Sequence, residues 1–217
     1  MDLISNNNSI LNNFFLIFTS FIFSFLLVPI VKNFGLKFKI LDDISQRKIH
    51  NNPIVRIGGL AIFLGYFFSI FIAYKLNFFE IGPYIPLLVG SFFMFLLGIL
   101  DDLFQLSPFI RLIFQILIFS FVFSSGLSIS IIDFSLFGDQ FQLFHIPLVL
   151  SYIITLLWIV GITNAINWLD GLDGLASGIA SISTLGILIT SYILNNFSIA
   201  IIASCLLGSI LGFLRFN

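Results

Sequence analysis

Between Asn164 and Asp173 an amide or a carboxylate recurs at every third position, as Asn164, Asn167, Asp170 and Asp173, with Gly171 and Gly174 interleaved. On a continuous helix each three-residue step drifts by about 60°, so the four would fan over half its surface. Asn167 to Asp173 is then a compact oxygen-rich arc, and the two glycines leave room for a substrate or open the helix. The bland alternative is a polar loop that caps the following apolar run. A second cluster, Asp101-Asp102, follows Leu97-Gly98-Ile99-Leu100. Adjacent carboxylates repel, so a nearby cation or a raised pKa is expected. They can hold Mg²⁺ through oxygen ligands or accept a proton from an attacking phosphate or hydroxyl; an acidic helix end at the water interface is the alternative. The third cluster runs from Asp42 to Gly59 and carries Arg47, Lys48, His50 and Arg56 before the pair Gly58-Gly59. Arg and Lys hold phosphate oxygens, Arg often bidentately, and a diglycine permits close backbone approach. Taken alone, this stretch is equally a plain basic loop.

The elements that position these clusters are apolar helices. The 217 residues are 59% hydrophobic and 9% charged, with a mean hydropathy of +1.15. A soluble domain carries roughly 25% charged residues. Nine basic and ten acidic side chains cannot coat a water-soluble globule of this size. An ordinary soluble enzyme, a disordered tail and a disulfide scaffold are excluded, and lipid must be the main solvent. Runs long enough to approach the roughly 20 residues of a membrane-crossing helix fall at about 12–31, 58–75, 84–100, 109–126, 147–163, 175–194 and 197–214. The expectation is an all-α polytopic membrane protein with about seven transmembrane helices, residues 1–217 forming a single integral membrane domain. The first run has no basic leader and no small-x-small cleavage site, which reads as a retained anchor.

Orientation follows the basic residues. With the N-terminus outside, Lys32, Lys37, Lys39, Arg47, Lys48, Arg56, Arg111 and Arg215 all fall on the inner side, leaving Lys75 near the outer one. The same assignment puts all three polar clusters at inner helix ends. Alternation in 128–131 and 141–143 around Gly138-Asp139 predicts a small extracytoplasmic β-hairpin. His145, beside it, reads as structural. The single Cys205 lies in an apolar run and reads as a core residue. A net charge of −1 offers no basic field for nucleic acid. There is no Cys/His cluster for zinc and no GxxxxGK[ST] nucleotide loop. Three oxygen-rich or basic clusters on one membrane face suit a phosphorylated, metal-bound substrate.

In this order the motifs resemble those of the polyprenyl-phosphate N-acetylhexosamine-1-phosphate transferases, the glycosyltransferase 4 family that includes the phospho-N-acetylmuramoyl-pentapeptide transferases. The resemblance runs from about Pro29 to Asn217. It is carried by His50-x-x-Pro53-x-x-Arg56-x-Gly58-Gly59, by Asp101-Asp102, and by Asn164-x-x-Asn167-x-x-Asp170-Gly171-x-Asp173-Gly174-Leu175-Ala176. Arg56 before the diglycine is more similar to the branch that starts O-antigen synthesis than to the peptidoglycan branch. The resemblance implies transfer of a sugar-1-phosphate from a UDP-N-acetylhexosamine to a polyprenyl phosphate lipid, with release of UMP, at the cytoplasmic face of a bacterial inner (plasma) membrane. It implies Mg²⁺ as cofactor. Asp101 and Asp102 would deprotonate the lipid phosphate or contact the metal. Asn167, Asp170 and Asp173 would ligate Mg²⁺ or hold the uridine diphosphate. Arg47, Lys48, His50, Arg56, Gly58, Gly59 and Asn164 would bind substrate.

Two departures qualify the resemblance. Ile44 stands where the family usually has proline. The segment from Gly212 to Asn217 resembles the start of a longer family segment whose later Phe-Met-Gly-Asp motif and His-rich loop are not in this sequence. The expectation is therefore the N-terminal two-thirds of such an enzyme, without measurable transfer from these 217 residues alone. A separate C-terminal segment or a homo-oligomer would complete it. Two alternatives belong to other classes: an inactive scaffold, and a polytopic transporter, which carboxylates at helix ends instead of mid-span disfavour.

Overall fold

The computed structural model describes residues 2–39, 56–133, 143–169 and 174–216. Among them are seven α-helices: α1 (Asp2–Lys37), α2 (Gly59–Lys75), α3 (Ile85–Phe104), α4 (Pro108–Ser124), α5 (Leu148–Leu169), α6 (Leu175–Ile193) and α7 (Phe197–Leu214). Each expected apolar run is a helix, and the protein is a multi-pass all-α membrane protein. Five helices have the length and apolarity to cross a bilayer, while α2 and α4 are 17 residues each. At 1.5 Å per residue those two reach about 25 Å, the short limit for a span. In the opposite direction α1 outruns the expected 12–31 and continues through Pro29 to Lys37.

The described backbone divides into two compact units, one of residues 1–81 with 170–217 and one of residues 82–169. In the first, α7 packs against α1, α2 and α6, and α1 against α2. The approach is close because the contact positions are small. A Cβ added at Gly208 would lie 2.0 Å from Ser20 Oγ and 2.2 Å from the Ile17 carbonyl oxygen. One added at Gly212 would lie 2.4 Å from the Phe21 carbonyl oxygen. Gly65 of α2 faces Ser24 and Ser209 in the same manner. Apolar side chains gain nothing over lipid by burial, so backbone proximity and van der Waals contact hold membrane helices together. Ser24, Ser69 and Ser204 are fully buried with hydroxyls that make no hydrogen bond, so they serve here by their size. Cys205 is buried in the same helix face, as a core residue should be.

In the second unit α3 and α4 form a helical hairpin and α5 packs on α4. Few residues are buried: Leu88, Gly90 and Leu97 on α3, Gln115 and Phe119 on α4, Ile146 after the hairpin, and Ser151 and Thr155 on α5. The expected hairpin is present but displaced. β1 (Ile131–Asp133) and β2 (Leu143–His145) pair antiparallel with Ile132 opposite Phe144. Residue 129 does not join the ladder, because Ile129 N–H donates to Thr155 Oγ1 (3.0 Å) and its carbonyl accepts from Ser151 Oγ (2.7 Å). Side chains of α5 have taken the backbone groups that the alternation assigned to a strand. The Gly138-Asp139 turn lies outside the described residues, and His145 sits in β2 opposite Ile131.

Candidate active site on helices α3 to α5

Asp101 sits in the last turn of α3, which Gln105 ends in a left-handed conformation (φ 50, ψ 59) with its N–H on the Asp101 carbonyl. Ser107 then starts α4, its Oγ accepting from Ile110 N–H at 3.3 Å, and Pro108 occupies the first turn where its missing donor costs nothing. So tight a turn sets the end of α3 against the start of α4. Arg111 Nη1 donates to Asp101 Oδ2 at 2.7 Å, with both side chains about one-fifth exposed. The cation that two adjacent carboxylates require is therefore Arg111. Asp102 is exposed beside it.

One turn further along α4, Gln115 is 4% exposed and accepts a hydrogen bond from Asn164 Nδ2 at 2.9 Å. The same Nδ2 donates to the Val160 carbonyl within α5 at 2.8 Å. Arg111 and Gln115 share one face of α4, a turn or about 5.4 Å apart. Asp101 and Asn164, from two different helices, thus come to the same end of this bundle. Asn167 follows in the last turn of α5 and is exposed.

α5 ends at Leu169 and α6 begins at Leu175, with Gly174 at φ +70 as its cap. That left-handed conformation is the reason for glycine at 174. Asn164 and Asn167 belong to α5; Asp170 and Asp173 lie outside the described residues, as do Arg47, Lys48 and His50. Arg56 opens a short 3-10 turn (Arg56–Gly58) ahead of α2. Gly58 approaches the Phe213 ring of α7, where an added Cβ would be 3.0 Å from Cε2, whereas Gly59 faces open space. The structure therefore places Asp101 and Asn164, with Asp102 and Asn167 next to them on α3 and α5, at one end of the α3–α5 unit. It adds Arg111 and Gln115, which motif reading alone does not single out.

The donor chemistry of this end fits a hard cation. Asp101, Asp102, Asn164 and Asn167 offer carboxylate and amide oxygens, the ligands of Mg²⁺. Among the described residues no group of three or more His, Cys, Asp or Glu gathers to hold a metal by itself. A cation here would share its coordination with amide oxygens, water or substrate phosphate.

Residues 84–217, which include both α3–α5 motifs, match the model of glycosyl transferase family 4. The chain belongs to that family. It is 36% identical over 88% of its length to a probable undecaprenyl-phosphate N-acetylglucosaminyl 1-phosphate transferase of Bacillus subtilis. It is 33% identical over 90% of its length to the undecaprenyl-phosphate alpha-N-acetylglucosaminyl 1-phosphate transferase of Thermotoga maritima. Similarity extends to a phospho-N-acetylmuramoyl-pentapeptide-transferase of Halalkalibacterium halodurans, 30% identical over 91% of the chain. These matches cover 52%, 54% and 64% of the three relatives, so the chain spans about half the length of the first two. The resemblance read from the motifs is a family membership.

Proposed function

We propose that this glycosyl transferase family 4 chain works in the transfer of an N-acetylhexosamine-1-phosphate from a UDP-sugar to a polyprenyl phosphate, in bacterial envelope polysaccharide synthesis. The observation that carries the reading is the convergence of Asp101 and Asn164, one from each motif, on neighbouring turns of α4. A lipid phosphate oxygen attacks the sugar-bound phosphorus, the bond from that phosphorus to the bridging oxygen of the diphosphate breaks, and UMP leaves with the electron pair. Such a reaction needs alignment and charge neutralisation more than covalent help from the protein.

Asp101 and Asp102 face that demand in two ways. Arg111 keeps Asp101 anchored, so the pair at the end of α3 can take the proton of the lipid phosphate or turn an oxygen toward a cation. Asp101, Asp102, Asn167, Asp170 and Asp173 are the residues that would hold Mg²⁺. Bound there, the ion would neutralise the diphosphate oxygens as charge moves onto the leaving UMP. Arg47, Lys48, His50 and Arg56 supply cationic or hydrogen-bonding groups for phosphate and sugar, and Gly58, Gly59 and Asn164 line the substrate. The basic residues at 32–56, 111 and 215 support N-out insertion in the plasma membrane, with the active face cytoplasmic.

The test is UMP release by the gene product at its natural length, in nanodiscs with Mg²⁺ and UDP-N-acetylglucosamine. UMP is expected only when polyprenyl phosphate is added. Release of UDP in its place, or no nucleotide release with any UDP-N-acetylhexosamine, would overturn the reading.

A further inference from the structure

Asn164 is held by two acceptors at once. The Val160 carbonyl can only accept, so the amide atom 2.8 Å from it must be Nδ2. That same nitrogen donates to Gln115 Oε1 at 2.9 Å. A primary amide nitrogen carries two hydrogens, and both are now spent. The orientation of the side chain follows from this chemistry and not from a choice between two similar atoms. Gln115 is 4% exposed, between Phe114 and Ile116 in the mostly apolar α4, where an unpaired amide would be costly. A buried glutamine in such a run is there for its partner.

We propose that Gln115 is a positioning residue for Asn164, and that Asn164 serves the site through its Oδ1 alone. Oδ1 can only accept. It has nothing to offer an ionised phosphoryl oxygen, which also accepts, so neither the diphosphate oxygens nor the lipid phosphate once its proton has gone to the carboxylates are its partners. What it meets is an electron-pair acceptor: a divalent cation, or an N–H or O–H donor on the nucleotide sugar. Arg111, a turn earlier on the same face, fixes Asp101, so α4 orients one residue of each motif while contributing to neither. This inference rests on the transfer reaction proposed above.

The experiment uses the natural-length protein in nanodiscs. Gln115→Leu leaves an apolar side chain of similar size and removes the acceptor; kcat should fall about tenfold while KM for polyprenyl phosphate stays within about twofold, as loss of one orienting hydrogen bond predicts. Gln115→Glu keeps an acceptor oxygen toward Asn164 and should recover most of kcat. Asn164→Ala identifies the partner. A raised Mg²⁺ requirement, with loss of the melting-temperature shift given by Mg²⁺ alone, assigns Oδ1 to the cation. A raised KM for the UDP-sugar, with loss of the shift given by the sugar nucleotide alone, assigns it to the nucleotide sugar. The proposal is overturned if Gln115→Leu turns over normally. It is overturned equally if Leu and Glu lose activity in parallel with melting temperature, or if Asn164→Ala raises only KM for polyprenyl phosphate. Absence of UMP release from the unsubstituted protein would instead overturn the transfer reaction, and the positioning role with it.

Discussion

Helix α7 and helix α5 are both long apolar helices, yet they are held in opposite ways. On α7 eleven residues are buried, from Ala200 to Gly212, and Gly208 and Gly212 lie against the backbone of α1. On α5 only Ser151 and Thr155 are buried, and hydrogen bonds tie it to its unit, Thr155 and Ser151 to Ile129, Tyr152 to Ser120 and Asn164 to Gln115, beside the Tyr152 ring packed on Phe119 and Phe123. Helix α7 is fixed chiefly by shape and α5 chiefly by polar contacts. Lipid explains the contrast. Where apolar burial gives no advantage, a helix is kept in place by small residues or by hydrogen bonds. The small-residue solution leaves no polar atoms for chemistry, and the polar solution leaves them at a helix end. The candidate residues Asp101, Asp102, Asn164 and Asn167 belong to the second.

The contrast breaks first at Gly208. Gly208→Ala puts a methyl 2.2 Å from the Ile17 carbonyl oxygen, a backbone atom that cannot move alone. We expect a loss of more than about 3 kcal/mol, read as the disappearance of monodisperse protein in detergent. Gly178→Ala on α6 is the control: nothing lies within 4 Å of the added methyl, and a helical alanine should be neutral or stabilising by up to about 1 kcal/mol. Equal behaviour of the two would show that α1 and α7 are not shape-locked.

Asp101→Asn probes the polar unit. Turnover should fall by about two to four orders of magnitude because a charged group at the reacting phosphates is lost. The protein should still insert, since α3 and α4 remain joined by their turn. Near-normal UMP release would remove Asp101 from the reaction. Ser120→Ala is the mildest probe. It deletes the 2.8 Å contact with Tyr152 OH, and an interhelical hydrogen bond in a membrane is worth about 0.6 kcal/mol on average. A shift in melting temperature of a degree or two is expected, with activity retained.

Much of this was readable before any coordinates. Lipid imposes long apolar runs on the sequence, so all seven helices stand where the runs do, and α1 differs because helix geometry continues past Val31 through polar residues to Lys37. The two motif ends of α3 and α5 were also legible, since a carboxylate pair or an amide repeat at the edge of an apolar run has no packing role there. Their partners were not singled out. Arg111 was visible only as a basic residue at an inner end; its pairing with Asp101 follows from the near-symmetric placing of the two about the Gln105–Ser107 turn. Gln115 stood as one amide inside an apolar run, a signal that polar residues within spans are expected to give. The hairpin was displaced because α5 hydroxyls compete for the Ile129 backbone, which no local alternation reveals. The small-residue seam of Ser20, Gly65 and Gly208 depends on three helices meeting.

The central claim is that the protein moves phosphorus together with sugar. UDP-N-acetylglucosamine labelled at its β-phosphorus, incubated with polyprenyl phosphate and the natural-length protein, decides it directly. The account predicts that the label enters the lipid fraction in step with the sugar and that the nucleotide product is unlabelled UMP, with Asp101→Asn abolishing both. Label retained on UDP while sugar enters the lipid would mean simple glycosyl transfer, and would contradict the role given to the α3–α5 end.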